Sequence, residues 1–577
     1  LGLNAYHGDC SACLFKDGNI VAAIEEERLT RVKHAAGFPI NSIKFCLNKE
    51  NISLKNINYV AVNRNPNLRL FSKLLYALKN ILKIRKFNNR LKNLKKINSL
   101  DKEFENYFGE KLNNKVILID HHLAHASSSI TMSKFDECNY ITLDGFGDFV
   151  STTIGSYKNG KLKKFKEVQF PHSMGLFYTA ITQYLGFKKY GDEYKVMGLS
   201  SYGKPIYKDK IYELINYDKK NLFKLNLNYF KHHNDGIEMS WLEGEPKTSN
   251  IYNNRIIKLL GDERKINENI NEFHMNIASS TQIVFEEIAI KIMNKLYEIN
   301  PCENISLSGG CAMNSVMNGK IREQTKYKNV YINHSPGDSG GCIGAATEAI
   351  RKLKKNSKIV VSDYPYLGSS YSVDAIEKTI SDFKKIFDEK NIFVKLINDR
   401  NQVFKDIAKN LVDKNVIGLF QGAMEFGARA LGNRSIIADP RNSQIKGLLN
   451  EKIKNREKFR PFAPSILEEY VSEWFDIDDN VNFMSKVYKI NGNKKSIVPG
   501  VVHIDGTCRL QTVSKNYNEN YYKIITEFKE LTKVPMILNT SFNENEPIVC
   551  SPTEAIDCFL RTKMDKLYIE NYLIYRS

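Results

Sequence analysis

Two segments that lie far apart in this chain repeat one pattern of short strands and glycine turns. The first contains LGLNAY, HGD, SACLFK, DGN and IVAAIEEE within residues 1–27. The second contains NYITL, DGFGD, STTIGSY, KNGK and LKKFKEVQF within residues 139–170. Apolar runs joined by Asp-Gly or Asn-Gly turns predict strands in hairpins. The repeat therefore predicts two similar α/β halves, each starting with a strand, an acidic glycine turn and a hairpin.

This duplication is typical of the actin-like ATPase architecture, in which two similar halves hold a nucleotide between facing turns. Backbone N–H groups in such turns bind phosphate oxygens. Two later glycine turns, SGGCAMNS at 308–315 and SPGDSGG at 335–341, follow predicted strands and precede predicted helices. Glycines there would let the backbone approach a nucleotide closely. For either turn taken alone, an ordinary tight turn is an equal alternative.

The stretch DHHLAHA at 120–126 holds three of the eleven histidines in the chain. It follows KVILI at 115–119, an apolar run that predicts a buried strand. On the helix that should follow, His121 and His125 are four residues apart and share a face. Two imidazoles at that spacing can bind one metal ion. The alternative is an ordinary polar helix face, and a carboxylate ligand nearby would favour the metal.

Composition limits the classes of protein that this chain can belong to. It has 577 residues and a formal net charge of +19, and no apolar stretch approaches the ~20 residues of a membrane span. The amino-terminal LGLNAYHGDC has an acid and no basic region, so we expect no secretory signal. The excess charge is mostly lysine distributed along the whole chain, so we do not expect nucleic-acid binding. Ten scattered cysteines suggest a reducing cytoplasm.

Two local features allow more than one interpretation. The segment 68–96 predicts an amphipathic basic helix or helix pair, either a solvated outer helix or a docking element for an anionic surface or acceptor. Cys10 and Cys13 form a CSAC sequence, but a hairpin rather than a helix should follow it. We therefore expect the two thiols to pack in the interior rather than to do redox chemistry.

The last third of the chain concentrates arginine in turns. After a change to polar, Pro- and Gly-containing sequence near 354–372, arginines occur among Gly, Pro and Asn at 422–442, 454–465 and 503–513. Guanidinium forks match the oxygens of phosphate and carboxylate groups. These turns therefore predict an anion site in a second α/β domain.

Eight motifs occur together in an order that resembles a known family. They are HHLAHA, LDGFGD, DEYKVMGLSSYGKP, SGGCAMNS, GARALGNRSIIADPR, REKFRPFAPS, HIDGTCRLQTV and LNTSFNENEPIVCSPTEA. Their order is that of the carbamoyltransferases of nodulation-factor and antibiotic biosynthesis. The resemblance implies an actin-like, Kae1-like domain with duplicated RNase H-like halves at 1–352. It also implies a YrdC-like α/β domain at 353–577.

For the first domain, the resemblance implies the site where a carbamoyl group passes from carbamoyl adenylate to a hydroxyl. A divalent transition metal, with Fe(II) expected, would be held by His121, His125, Asp144 and Asp338. His7 would accept the proton of the hydroxyl, with Asp235 as a second candidate base, and His122 would either support the ligand residues or pack in the interior. The adenylate would contact Gly309, Gly310, Asn314 and Gly341.

For the second domain, the resemblance implies formation of carbamoyl adenylate from carbamoyl phosphate and ATP, with Mg²⁺ as a possible companion of the nucleotide. The residues implied in binding carbamoyl phosphate and ATP are Arg429, Lys454, Arg460, Arg509, Asn539, Thr540 and Ser541. Lys454 would also be catalytic. Phosphate charge is neutralised in this chemistry, and no covalent nucleophile is needed.

The expected partner is a hydroxyl acceptor on a small molecule or glycan, and a homodimer is one possible state. The chain departs from the family at its cysteine-containing first turn, which should leave catalysis intact. It also departs at the lysine-rich segment after residue 68, which puts the identity of the acceptor in doubt. Two alternatives stay open at this point. One is threonylcarbamoyl transfer to tRNA, and the other is a non-catalytic nucleotide-sensing scaffold.

Overall fold

The computed structural model describes residues 1–79, 100–112, 115–236, 239–240, 245–354 and 359–576. The chain divides into two compact units, Leu1–Asp363 and Tyr364–Ser577. Of the basic segment at 68–96, residues 80–96 lie outside the described residues. Its described part forms the helix Leu70–Lys79. Among the described residues, no helix combines the length and the hydropathy needed to cross a membrane.

The first sheet of the amino-terminal unit contains the first copy of the repeat. Its strands are β1 (Gly2–Asn4), β2 (Ser11–Lys16), β3 (Asn19–Glu25), β4 (Val60–Val62) and β5 (Val116–Leu118), in the spatial order β3-β2-β1-β4-β5. The first three strands are antiparallel, whereas β4 and β5 run parallel to β1. The β2–β3 turn contains Asp17 and Gly18, both at positive φ, as the Asp-Gly sequence predicts.

The second sheet has the same topology. It contains β6 (Glu137–Gly147), β7 (Val150–Lys158) and β8 (Lys161–Gln169). Two small ribbons follow in the chain, β9 (Ile215–Asp218) with β10 (Leu222–Leu225), and β11 (Met239–Ser240) with β12 (Lys247–Thr248). The sheet is then completed by β13 (Asn304–Ser308) and β14 (Asn329–Ile332), in the order β14-β13-β6-β7-β8. Each sheet thus consists of a three-stranded antiparallel meander and two further strands that run parallel to the first strand of that meander. This shared arrangement confirms the predicted duplication.

Helices connect and cover these two sheets. In the amino-terminal unit they are Glu26–Thr30, Ile40–Lys49, Leu70–Lys79, Leu100–Phe108, His121–Ser133, Met174–Tyr184, Glu193–Leu199, Lys208–Tyr212, His232–Asp235, Asn254–Leu260, Glu272–Ile299, Ser315–Gln324 and Gly341–Leu353. The helices His121–Ser133 and Gly341–Leu353 pack so closely that a Cβ on Gly344 would lie 1.7 Å from the Ala124 carbonyl oxygen. Both helices are largely buried.

The carboxy-terminal unit is built on one mixed sheet of nine strands. They are β15 (Ile392–Leu396), β16 (Ile417–Phe420), β17 (Arg434–Ala438), β18 (Ala463–Leu467), β19 (Lys486–Lys489), β20 (Thr507–Val513), β21 (Met536–Ser541), β22 (Lys566–Ile569) and β23 (Tyr572–Arg576). Their order is β15-β23-β22-β16-β17-β21-β18-β20-β19. Helices Val373–Asp382, Lys384–Glu389, Arg400–Val412, Ile445–Leu448, Val471–Trp474, Glu519–Thr532 and Pro552–Arg561 accompany it. The predicted α/β class is confirmed.

The CSAC sequence lies at the start of the β2–β3 hairpin. Cys10 and Cys13 are both buried and neither forms a disulfide. Burial raises the pKa of the Cys10 thiol well above its usual value. A thiol that stays protonated is a poor nucleophile, so the packing interpretation fits both its position and its chemistry.

Candidate functional site

The HHLAHA sequence forms the first turns of the helix His121–Ser133. Asp120 caps this helix because its Oδ1 accepts a hydrogen bond from the Leu123 N–H at 3.0 Å. The Oδ2 of Asp148 accepts a second one from the His121 N–H at 3.0 Å. Both acids satisfy N–H groups that a helix start leaves without partners. The capped turn fixes the direction in which His121 and His125 point.

Four side chains from three distant segments meet at this helix start. His121 and His125 come from the helix, Asp144 from β6, and Asp338 from the turn before the helix Gly341–Leu353. All four are buried. The His121 Nε2 lies 3.0 Å from His125 Nε2, 3.2 Å from Asp144 Oδ2 and 3.5 Å from Asp338 Oδ1. The chain thus brings together the four side chains predicted as ligands.

The spacing of these four side chains suits a single divalent ion. An ion bonded at about 2.1 Å to each ligand atom separates neighbouring ligand atoms by about 3 to 3.5 Å. His125 Nε2 lies 3.3 Å from Asp338 Oδ1 and 3.9 Å from Asp144 Oδ2, close to that range. Two imidazole nitrogens and two carboxylate oxygens are ligands that divalent transition metals accept. The residues present therefore fit a metal.

The charges of the cluster depend on one another. Burial alone would lower the pKa of His121, but its hydrogen bond with Asp144 and the charge of Asp338 raise it to about 9. Burial would raise the pKa of Asp338, but the charge of His7 helps to hold it well below its usual value. Without a metal, the cluster is thus stabilised as imidazolium with carboxylates.

Metal binding should therefore release a proton from His121. A divalent ion must displace the proton that His121 holds below its raised pKa of about 9. We expect the apparent dissociation constant for Zn²⁺ to fall about tenfold per pH unit from about pH 6 to about pH 9, and then to level off. Competition with a fluorescent zinc indicator at fixed pH values measures this. A constant affinity over that range would contradict it.

Gly147 leaves the space that the imidazole of His121 occupies. A Cβ on Gly147 would lie 1.9 Å from the Cδ2 atom of His121. We expect Gly147→Ala to displace this imidazole and to reduce bound metal to less than about a tenth of the wild-type content. Elemental analysis of the purified protein measures the loss.

Gly145 in the same turn supplies the matched control for Gly147. A Cβ at Gly145 meets nothing within 4 Å. Gly145→Ala should therefore keep the metal, and circular dichroism should report a folded protein for both variants. Equal metal content in the two variants would show that residue 147 does not position His121.

His122 points away from the four converging ligands. Its Nδ1 lies 2.7 Å from Thr142 Oγ1, and its Nε2 lies 2.9 Å from the Val150 carbonyl oxygen. Burial and the charge of His121 lower the pKa of His122 to about 3, so the ring is neutral. These contacts tie the helix to β6 and β7, which agrees with the predicted packing role.

The glycine turns around the cluster support its carboxylates. Gly309 lies at φ +91°, and a Cβ there would lie 2.2 Å from the Leu143 carbonyl oxygen. The N–H of Gly310 donates to Asp144 Oδ1 at 2.9 Å. Asn314 caps the helix Ser315–Gln324, and its amide pairs with Gln282 at 2.9 and 3.0 Å. The adenylate contacts predicted for Gly309, Gly310, Asn314 and Gly341 stay predictions.

His7 lies beside the cluster, and its turn is held from several sides. Its Nδ1 makes an ion-pair contact with Asp338 Oδ2, and its ring centroid lies 5.6 Å from that of His121. The Asn4 Nδ2 donates to the carbonyls of Gly8 at 3.1 Å and Asp9 at 2.8 Å, which fixes the turn. Asp235 lies in the short helix His232–Asp235 with an exposed side chain, outside the four-residue cluster. The roles of both candidate bases stay predictions.

A second cluster, of positive charge, forms in the carboxy-terminal unit. Burial lowers the pKa of Arg509 well below its usual value, and the charges of Arg429, Arg456 and Arg460 lower it further. Neighbouring like charges are unfavourable unless an anion compensates them, and among these arginines Arg460 has such an anion in Glu457, at 3.6 Å. We call Arg429, Arg456, Arg460 and Arg509 the arginine cluster. Arg456 was not among the predicted residues, although its motif was.

Lys454 is near the arginine cluster and is hydrogen-bonded to the end of strand β21. The buried Nζ of Lys454 donates to the Ser541 carbonyl, and to the carbonyl and side-chain oxygens of Asn543, both at 2.7 Å. Asn539 donates to Gln511 Oε1 at 3.0 Å and to Ser465 Oγ at 3.2 Å. Thr540 pairs with Ile436 in the sheet. The predicted catalytic and binding roles of Lys454, Asn539, Thr540 and Ser541 stay predictions.

Comparison with known proteins places the chain in a family. The family described as Carbamoyltransferase N-terminus matches residues 1–347, and Carbamoyltransferase C-terminus matches residues 408–576. An uncharacterised protein of Synechocystis is 36% identical, over 100% of this chain and 96% of its own length. The nodulation protein NolNO of Sinorhizobium fredii is 33% identical, over 99% of this chain and 79% of its own length. An uncharacterised protein of Methanocaldococcus jannaschii is 33% identical, over 98% of each chain.

These matches cover most of the chain and confirm the predicted family. The two family profiles follow one another in the order of the two α/β units, and similar full-length relatives occur in bacteria and archaea. This chain therefore belongs to the carbamoyltransferase family and is a carbamoyltransferase.

Proposed function

We propose that the protein is an ATP-dependent O-carbamoyltransferase that works in two stages. In the first, water converts carbamoyl phosphate to carbamate and phosphate. A carbamate oxygen then attacks the α-phosphorus of ATP, so that pyrophosphate leaves and carbamoyl adenylate forms. In the second, an acceptor hydroxyl attacks the carbamoyl carbon, and AMP leaves.

The observation that carries this proposal is the arginine cluster. Burial disfavours the charged form of Arg509. The positive charges of Arg429, Arg456 and Arg460 disfavour it further. Phosphate oxygens would compensate four guanidinium groups, and the fixed forks would hold phosphoryl groups for in-line displacement. The nearby Lys454 is anchored on Ser541 and Asn543, and in our proposal it keeps the end of β21 beside the phosphates.

The second stage is assigned to the cluster of His121, His125, Asp144 and Asp338. A divalent metal bound by these four side chains would supply Lewis-acid chemistry. His7 makes its ion-pair contact with Asp338 through Nδ1. In its neutral form, with the proton on Nδ1 facing Asp338, His7 would have Nε2 free to accept the proton of the acceptor hydroxyl. Asp338 thus orients the base in our proposal.

Pyrophosphate release tests the proposal directly. The purified protein should release pyrophosphate from ATP only when carbamoyl phosphate is present, and omission of the acceptor should leave this first stage active. Acetyl phosphate in place of carbamoyl phosphate is the negative control. Absence of carbamoyl-phosphate-dependent pyrophosphate release, with metal bound and across several candidate acceptors, would refute the proposal.

A further inference from the structure

His503 lies on the same face of the sheet as Arg509. Side chains alternate along β20, so Thr507, Arg509 and Gln511 point to one face, while Cys508 and Leu510 are buried on the other. The contacts of Gln511 with Asn539 and Ser465 extend this polar face across β21 and β18. We call it the polar face.

His503 is fixed at the end of the polar face. Its backbone N–H donates to the Thr507 carbonyl at 2.7 Å, and its Nδ1 lies 3.0 Å from Thr507 Oγ1. The imidazole therefore lies next to Thr507, two residues from Arg509 along the strand.

The hydrogen bonds determine which nitrogen of His503 carries the proton. Thr507 Oγ1 donates its single hydrogen to Asp505 Oδ1 at 2.7 Å. It can only accept at its 3.0 Å contact with His503, so Nδ1 of His503 is the donor there. Burial and the charge of Arg509 help to lower the pKa of His503 to about 4, which keeps the ring neutral. Its Nε2 therefore carries a lone pair.

That lone pair has no partner among the described residues, although it is buried. Nε2 of His503 and Nε of Arg509 both lack a hydrogen-bond partner within the described part of the chain. A buried acceptor without a donor is unfavourable, so the site calls for a ligand that brings one. A phosphate dianion offers only acceptors. A ligand that satisfies both atoms would bring an N–H or O–H to His503 and an acceptor, such as a phosphoryl oxygen, to Arg509.

We propose that Nε2 of His503 accepts a hydrogen bond from the amino group of carbamoyl phosphate, and so selects this substrate over acyl phosphates that lack an N–H. This inference rests on the proposed function. Acetyl phosphate has the same phosphate but a methyl group where carbamoyl phosphate has NH₂. Sites built to hydrogen-bond a substrate group discriminate strongly against analogues without it, because their own polar group is then left unpaired. The N–H and O–H groups of ATP are the other hydrogen-bond donors that could reach Nε2 of His503.

Binding measurements on the full-length protein test this inference without relying on turnover. The probes are freshly prepared carbamoyl phosphate, acetyl phosphate, inorganic phosphate and ATP, each measured by calorimetry. We expect the wild type to prefer carbamoyl phosphate over acetyl phosphate by about tenfold. His503→Ala should remove that preference while leaving the affinities for the other three probes within about twofold. His503→Gln, which keeps an acceptor oxygen, should restore part of it.

Several outcomes would overturn the inference. Equal weakening of all four probes by His503→Ala would assign the residue a structural role only. If His503→Ala weakened the binding of ATP and left the binding of carbamoyl phosphate unchanged, the group that donates to His503 Nε2 would belong to ATP. A wild type without preference for carbamoyl phosphate would leave nothing for His503 to select. Selective binding without pyrophosphate release would instead support the role of His503 while refuting the proposed reaction.

Discussion

Arg509→Ala is expected to lower carbamoyl-phosphate-dependent pyrophosphate release by about 10²- to 10³-fold. Removal of one preorganised donor to a developing charge has an effect of about this size in other enzymes. Arg509 is also the member of the arginine cluster on which the charges of the other three act. Arg509→Lys should recover little of the rate, because an ammonium group keeps the charge but loses the planar fork. Initial rates with a coupled pyrophosphate assay measure both variants.

An arginine outside the cluster provides the control for this prediction. Arg561 is half exposed at the end of the helix Pro552–Arg561 and pairs with Glu546 at 2.8 Å. Arg561→Ala should stay within about twofold of the wild-type rate, because surface ion pairs contribute little. If Arg509→Ala behaved like Arg561→Ala, the arginine cluster would not be the site of adenylate formation.

His121→Ala is expected to remove the metal and to abolish the second stage only. The variant lacks one of four converging ligands and leaves Asp144 without its 3.2 Å imidazole partner. Lewis-acid assistance corresponds to several kcal/mol, so carbamoyl transfer should fall by about 10³-fold or more. Pyrophosphate release should continue at near the wild-type rate. Elemental analysis and separate assays of pyrophosphate and AMP resolve the two stages.

His172 provides the control for this prediction, because it lies in the same unit but is not one of the four predicted metal ligands. Its Nδ1 accepts the Leu225 N–H at 3.2 Å. His172→Ala should therefore keep the metal and both stages. Normal metal content and AMP release in His121→Ala would refute the assignment of the transfer site, and loss of pyrophosphate release in that variant would show that the stages are not separable.

Sequence alone predicted the parts of this molecule that depend on local patterns. The two meanders were predictable because Asp17-Gly18 and Asn159-Gly160 turns join neighbouring strands, and both turns have the expected positive φ. The HHLAHA spacing put His121 and His125 on one helix face. Asp144 and Asp338 could not be derived that way, because they reach the site through pairing of distant strands, and only the resemblance indicated them.

The residues missed by sequence analysis act through tertiary contacts. Gly147 matters because the imidazole of His121 packs against it. Asp148 matters because it caps the helix His121–Ser133, which begins 27 residues earlier. Arg456 and Arg460 lie in one turn, yet Arg429 and Arg509 join them only through the sheet. The resemblance predicts a phosphate-binding role for Lys454, but the sequence does not show that its Nζ donates to Ser541 and Asn543.

The tight crossing at Gly344 limits how this chain can evolve. Alanine favours a helix over glycine by about 1 kcal/mol, so local preference alone would replace Gly344. A methyl group at 1.7 Å from the Ala124 oxygen would instead force two helices apart. One of them carries both imidazoles, and the other follows the turn that holds Asp338. Natural variation at position 344 is thus governed by the alignment of the neighbouring His121, His125 and Asp338 side chains, at the expense of the helix in which the residue lies.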